Sequence, residues 1–280
     1  MDSILLTGAS GFVGRQILKV LEKHNVEITV INRSGKISTY QNFSKVKRVI
    51  TTKNLFTESD LWYENVCKNK DIIIHAAWFA EPGMYLDSKL NFECEQGTIK
   101  FASAALKNNI KKFVGIGTCF EYDVSYGQLS VITPLAPSSI YAKAKVNTFL
   151  NIKKIFENGN HRSTYAWCRL FYLFGENEDE RRLVSLLRKK LSKGEHVKLS
   201  KGEQIRDFIN VRDAAEQIAH IALTDINGPQ NICSGIGITV RGMAEKVATD
   251  YAGGKELLIF GALKEREFDP PKIIGVKSFI

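Results

Sequence analysis

Ile4-Leu5-Leu6-Thr7-Gly8-Ala9-Ser10-Gly11-Phe12-Val13-Gly14 decides the reading of this 280-residue chain. A short apolar, strand-like run leads straight into three glycines at G-x-x-G-x-x-G spacing, and an amphipathic, helix-like stretch over residues 15–23 follows. Glycine serves there in three ways: it adopts unusual backbone conformations, lets N–H groups approach an anion, and allows tight helix–strand contact. A strand before the turn and a helix after it are the context in which such a turn cradles a dinucleotide pyrophosphate. Gly8, Ser10, Gly11, Phe12, Val13 and Gly14 are therefore candidate cofactor contacts.

Outward from this turn the same alternation continues. Strand-like runs occupy residues 27–31, 46–51, 71–77, 112–117 and 164–170, and helix-like stretches occupy 92–108 and 139–156. Strands alternating with helices imply a parallel sheet covered on both faces, an α/β fold of the Rossmann-type doubly wound kind. After residue 170 the alternation decays into a basic helix at 183–191, a glycine-bearing turn and a segment at 204–211. The expected organisation is a dinucleotide-binding domain over 1–170, with a return segment near 205–235, and a smaller C-terminal substrate-binding lobe over 171–280.

Composition narrows the function classes. With 44% hydrophobic and 25% charged residues the chain is neither disordered nor low-complexity. No apolar run approaches the roughly 18 residues of a membrane span, and only Met1-Asp2-Ser3 precede the first strand, too few for a secretion signal. Five cysteines, odd in number and scattered, suggest neither a disulfide framework nor a metal site, so a cytoplasmic protein without metal is expected. The net charge of +9 favours an anionic partner, although plain solvated lysine gives the same excess. The basic residues form no long block and no nucleic-acid motif, so a phosphorylated small molecule is expected, with neither nucleic acid nor membrane as partner.

Two further patterns carry chemistry. The second strand ends Val30-Ile31-Asn32-Arg33-Ser34, without the carboxylate that would bind adenosine ribose hydroxyls. Arg33, aided by Arg15, offers cations to a 2′-phosphate, so NADP(H) is expected ahead of NAD(H), with Asn32, Arg33 and Ser34 as contacts. Downstream, Tyr141 and Lys145 stand four residues apart at the start of a helix capped by Ser138 or Ser139, which places them on one face. A phenol with an ordinary pKa of about 10 exchanges protons sluggishly at neutral pH unless a nearby ammonium favours its phenolate, and Lys145 is placed to do this.

With these residues in order, the chain resembles the extended short-chain dehydrogenase/reductases that modify nucleotide sugars. The glycine turn, His75-Ala76-Ala77 after the fourth strand, Gly117-Thr118 after the fifth, Tyr141 with Lys145, and Arg206-Asp207-Phe208 followed by Val211 and Asp213 all occur in that family's sequence. The resemblance implies that Thr118 hydrogen-bonds the reacting carbonyl or alcohol, Tyr141 transfers the proton, and Lys145 also holds the nicotinamide ribose. It further implies cofactor contacts at Ala76 and Ala77 and a cationic clamp on a nucleotide diphosphate from Arg206, with Arg266 and Arg182 as further candidates. Trp78 and His75 are candidates for lining the cofactor or sugar, a packed histidine being the alternative for His75. The resemblance also implies a homodimer built on 92–108 and 139–156. It leads one to expect a further helix after Asp269-Pro270-Pro271, so the second lobe reads as abbreviated.

The family dehydrates, epimerises, decarboxylates or reduces. Dehydratases resemble one another in carrying Asp-Glu directly after the catalytic threonine, where this chain has Cys119-Phe120. The enzymes that make GDP-fucose place a cysteine two residues after the hydroxyl, and Cys119 stands one residue short of that position. What remains needs only Thr118, Tyr141 and Lys145: reduction of a nucleotide-linked 4-keto-6-deoxyhexose, or oxidation and re-reduction at C4. Arg33 in place of an acidic residue tilts toward an NADPH-dependent reductase for bacterial surface polysaccharides, resembling CDP-abequose synthase-like enzymes. An NAD-dependent 4-epimerase and a non-catalytic NADP-binding sensor or scaffold are the alternatives.

Overall fold

The computed structural model describes residues 1–33, 40–159, 162–265 and 269–278. In chain order the elements are β1 (Asp2–Thr7), α1 (Phe12–Leu21), β2 (Val26–Asn32), β3 (Val46–Thr51), α2 (Asp60–Cys67), β4 (Ile72–His75), α3 (Leu90–Lys107), β5 (Lys112–Thr118), β6 (Gln128–Leu129), α4 (Ile140–Glu157), β7 (Thr164–Leu170) and β8 (Tyr172–Phe174). They continue as α5 (Leu183–Leu191), β9 (Val197–Lys198), β10 (Ile205–Asn210), α6 (Val211–Leu223), β11 (Gly228–Ile232), β12 (Gly237–Thr239), α7 (Val240–Ala248), β13 (Leu258–Ile259) and β14 (Lys272–Gly275).

Seven strands form a parallel sheet in the order β11-β7-β5-β4-β1-β2-β3. Successive side chains leave a strand on opposite faces, and the core divides accordingly. Ile4, Leu6, Ile72, Ile74 and Val114 pack toward α1 and α6, with Ile17 and Ile218 among their neighbours. Leu5, Ile73, Phe113 and Trp167 pack toward α2, α3 and α4 through Tyr63, Phe101 and Phe149. Both faces are covered, which is why these strands read as continuous apolar runs. The chain runs from β1 to β2 on one side and later returns to lay β4 on the other, so the sheet order reverses at β1 and β4. A crevice opens at such a switch point, at the carboxyl ends of the strands.

Among the boundaries that move from their sequence reading, two border the glycine turn. The ladder of β4 ends at His75, not residue 77: Ala76 N–H still reaches Thr7 O at 3.3 Å, but Ala77 N–H turns to the Thr7 hydroxyl at 3.2 Å. The helix after the glycine turn starts at Phe12, not residue 15, with Gly11 as its N-cap.

Strands from beyond β7, together with β6 from before it, form a second sheet in the order β12-β10-β14-β6, with β8 also on β10. Fully buried Asp207 ties this region together, accepting from Ser234 N, Ser234 Oγ, Gly235 N and Gly275 N at 2.6–3.1 Å. A separate apolar cluster joins α5 to α7 through Leu187, Leu191, Met243 and Val247. Among the described residues no helix is long and apolar enough to cross a membrane, and no three His, Cys, Asp or Glu side chains gather as a metal site.

Candidate active site

The glycine turn lies at the switch point. Gly8 has φ +71°, and a Cβ there would meet the Ala76 and Ala77 backbone at 2.7 Å, so only glycine lets the two strand ends approach. Gly14 lies under the turn, where a Cβ would come 2.1 Å from Gly8 O. Gly11, with its N–H on Gly8 O at 2.9 Å, is exposed, and a Cβ on it would project beside the turn at 3.3 Å from Gly8 O. No side chain caps α1, and its first turn holds no acidic residue. The N–H groups of Phe12 and Val13 thus present the positive end of the helix beside exposed Ser10. An open glycine cradle over an uncapped helix N-terminus fits a dinucleotide pyrophosphate.

His75 holds this arrangement without itself being accessible. Its Nδ1 lies 2.9 Å from Thr7 Oγ1 and its Nε2 2.9 Å from Thr98 Oγ1. Thr98 already donates to Cys94 O at 2.7 Å, so Nε2 carries the proton and Nδ1 accepts from Thr7, whose oxygen takes the Ala77 N–H. Burial pulls the imidazole down to about 3, with the Lys145 charge adding to the effect. The histidine is a neutral strut for the Ala76-Ala77 turn.

The other cofactor candidates sit around the same crevice. Asn32 ends β2 in a buried position and Arg33 follows it, exposed, while Ser34 lies outside the described residues. Ala76 and Ala77 are partly buried beside Gly8.

Thr118, Tyr141 and Lys145 come together next to that turn. Thr118 closes β5, and its Oγ1 accepts Phe120 N–H at 3.3 Å, which leaves the hydroxyl hydrogen for a second partner. Tyr141, in the first turn of α4, is its neighbour, and the Thr118 side chain pulls the phenol's pKa down against the burial that raises it. Lys145, 3% exposed, donates to Ile116 O at 2.6 Å, with its Nζ 5.8 Å from the Tyr141 ring centre and 3.5 Å from the Trp78 ring centre. Trp78 is fixed by its Nε1 on Asn91 Oδ1 at 2.8 Å, and Tyr85 meets Tyr141 edge-on at 4.8 Å.

The electrostatics differ from the sequence expectation. Spacing places Lys145 one turn from Tyr141, but burial dominates both groups: it pushes the phenol above its usual 10 and pulls the ammonium from 10.5 to about 7. The charge of Glu121 opposes the drop at Lys145. In the free protein Lys145 titrates near neutrality, and its partial charge, 5.8 Å from the Tyr141 ring centre, does not offset the burial that raises the phenol.

Glu121 and Arg169 were not legible as site residues. Both are buried to within 1% and paired at 2.6 Å beneath the end of β5, and Glu121 Oε1 accepts the Thr118 N–H at 2.8 Å. The available signal was Thr118-x-x-Glu121, a capping-box spacing that predicts this contact.

The expected anion clamp is less open. Arg206 is 2% exposed, ion-paired with Asp269, bonded to Ile205 O at 2.8 Å, and 5.4 Å from the Tyr172 ring centre. Arg182 is the partly buried N-cap of α5, beside the Glu178 carboxyl. Arg266 lies outside the described residues. Cys119 is 2% exposed with its thiol pushed by burial to about 12, and it packs with Tyr122, Phe171 and Cys233.

Residues 4–233 match the profile described as the NAD dependent epimerase/dehydratase family. The chain belongs to that family. It is an NAD(P)-dependent oxidoreductase of the extended short-chain dehydrogenase/reductase type. Over 276 residues, 98% of this chain and 100% of the relative, it is 24% identical to dTDP-6-deoxy-L-talose 4-dehydrogenase (NAD(+)) of Aggregatibacter actinomycetemcomitans. It is also 24% identical to CDP-abequose synthase of Salmonella typhimurium, over 95% of this chain and 87% of that protein. Among solved structures, UDP-N-acetylglucosamine 4-epimerase of Methanobrevibacter ruminantium, in complex with UDP-N-acetylmuramic acid, superposes with TM-score 0.82 at 25% identity, covering 99% of this chain and 90% of the other.

Proposed function

We propose that this family member reduces the C4 keto group of a nucleotide-linked 4-keto-6-deoxyhexose, with NADPH as preferred reductant. The observation that carries the reading is what surrounds Thr118. No carboxylate directly follows it, Glu121 faces inward onto Arg169, and the Cys119 thiol is buried and protonated. Abstraction of a sugar C–H proton needs a base in reach, and these side chains offer none, whereas carbonyl reduction needs a proton donor, a hydroxyl and a cation. The 6-deoxy-talose 4-dehydrogenase and abequose synthase similarities support the same reaction class.

When bound, the reduced nicotinamide supplies the hydride. Gly8, Ser10, Gly11, Phe12, Val13 and Gly14 would hold its pyrophosphate, Ala76 and Ala77 would border it, and Asn32 and Arg33 would meet the adenosine end. Tyr141 gives its proton to the C4 oxygen, Thr118 orients that oxygen, and the Lys145 ammonium stabilises charge as the phenol is deprotonated. Release of Arg206 from Asp269 would free a cation for the nucleotide diphosphate, with Arg182 and Trp78 on the approach.

Exposed Leu90 (46%) and Phe92 (52%) on α3 and Leu150 (47%) on α4, two helices packed on each other, support a homodimer through this face. The reductase reading is tested by following NADPH and NADH oxidation with dTDP-, CDP-, UDP- and GDP-linked 4-keto-6-deoxy sugars. Net oxidation of NADPH by one of these supports it, whereas interconversion of UDP-hexoses without added cofactor would establish a 4-epimerase, the reading that the structural likeness at 25% identity favours.

A further inference from the structure

We propose that Glu121 is a positioning residue for the reaction: from beneath β5 its carboxylate pins the Thr118 backbone and sets the electrostatic field in which Lys145 works. The proposal rests on Thr118, Tyr141 and Lys145 being the reacting group. Its geometry is independent of the substrate.

Glu121 is fully buried, yet every approach to its carboxylate is occupied. Oε1 accepts Thr118 N–H at 2.8 Å and Trp167 Nε1 at 3.0 Å, and Oε2 accepts Arg169 Nε at 2.6 Å and Trp167 Nε1 at 3.1 Å. Arg169 is fixed in turn by Tyr122 Oη at 3.0 Å, with its guanidinium 4.6 Å from the Phe149 ring centre, and Tyr122 donates to Asn231 Oδ1 at 2.7 Å. The main chain is shaped for this contact, because a Cβ on Gly117 would lie 2.3 Å from Trp167 Nε1 and 2.4 Å from Glu121 Oε1. A buried ion pair is weak evidence for stability, since neutral side chains of similar volume often serve as well. A pair whose carboxylate grips the backbone of the candidate catalytic hydroxyl has a second use.

That use is electrostatic as well as geometric. Lys145 is faced by Ile116 O from β5, by Trp78 after β4, by Trp167 from β7, by Tyr141 on its own helix, and by the charges or dipoles of Cys94, His75 and Glu121. The Glu121 charge opposes the burial that drives the ammonium toward neutrality, with Cys94 adding to it. Without its charge, and with Arg169 left unopposed, Lys145 would shed its proton at lower pH.

The test uses the free full-length protein with side-chain carbon-13-labelled lysine, Lys145 being identified by the signal lost in Lys145→Met. In Glu121→Gln the Lys145 titration midpoint falls below the wild-type value. Glu121→Gln combined with Arg169→Met removes both charges and guards against misfolding of the single variant, and its midpoint is also expected below wild type. Thr118 amide hydrogen exchange is expected to quicken at least tenfold in Glu121→Ala relative to Ile116, whose N–H belongs to the ladder. An unmoved Lys145 midpoint in a variant with native circular dichroism overturns the proposal. Should no sugar nucleotide turn over, the substrate reading fails while this titration still decides the role of Glu121.

Discussion

The Lys145 ammonium lies 3.5 Å from the centre of the Trp78 indole, inside a pocket that also buries the Tyr141 phenol. Two effects of that ring compete. It attracts the cation by about 0.5–2 kcal/mol, which raises a pKa by roughly 1.5 at most, and it excludes water, which lowers the pKa. Burial by all the surrounding groups pulls the ammonium from 10.5 to about 7, more than the ring's attraction returns, and the ring is one of the groups that excludes water. Trp78→Ala should therefore move the Lys145 midpoint upward, as read by lysine NMR, and a downward movement would mean that the ring acts mainly as a cation binder.

Tyr141→Phe removes the proton donor while keeping the ring that packs on Tyr85 and Trp78. Turnover is expected to fall by about 10²–10⁴-fold, the usual range for general acid catalysis, with NADPH affinity nearly unchanged in a fluorescence titration. Retention of most activity would assign the donor elsewhere.

His75 gives the protein an acid-sensitive component. Its folded pKa, about 3, lies below the ordinary 6.5, so between those values the unfolded chain binds a proton that the native state refuses. The stability associated with neutral His75 is full above pH 6.5 and is lost as pH falls toward 3, at about 1.4 kcal/mol per pH unit. Denaturant titrations across that window should show a slope in wild type that exceeds that of a folded His75→Gln by about one proton.

The glycines of the turn are expected to separate. Gly8→Ala meets the Ala76 and Ala77 backbone at 2.7 Å from a positive φ, and should lose stability by at least about 1–3 kcal/mol together with cofactor binding. Gly11→Ala puts its methyl 3.3 Å from Gly8 O at an ordinary φ, a contact that a shift of a few tenths of an ångström relieves, so it should melt nearer to wild type than Gly8→Ala while cofactor binding weakens. Melting temperature and cofactor titration on the two variants distinguish these outcomes.

Arg33→Asp reverses the charge at the exposed end of β2. The loss of a charge-assisted contact worth about 1.5–3 kcal/mol predicts a tenfold or greater fall in kcat/KM with NADPH relative to NADH. An unchanged ratio would show that Arg33 does not read the cofactor phosphate.

Much of the nucleotide half was legible because its signals are local. Alternating apolar runs and a glycine turn between strand and helix follow from backbone geometry over a few residues. Helix α6 was harder to read because four of its seven buried residues, Ala214, Ala215, Ala219 and Ala222, are alanine and give a weak stripe, although with α1 it covers one side of the sheet.

By itself the sequence determined that the chain is doubly wound, where its dinucleotide turn lies, and that Tyr141 and Lys145 share one helix face. Each of these depends on residues close together along the chain. The tertiary structure alone decided that burial leaves Lys145 near neutrality, that Arg206 is occupied by Asp269, that His75 is a strut, and that Arg169 reaches the Glu121 carboxylate. These outcomes depend on which distant segments exclude water from a group and which charges they bring beside it, and no spacing along the chain encodes that.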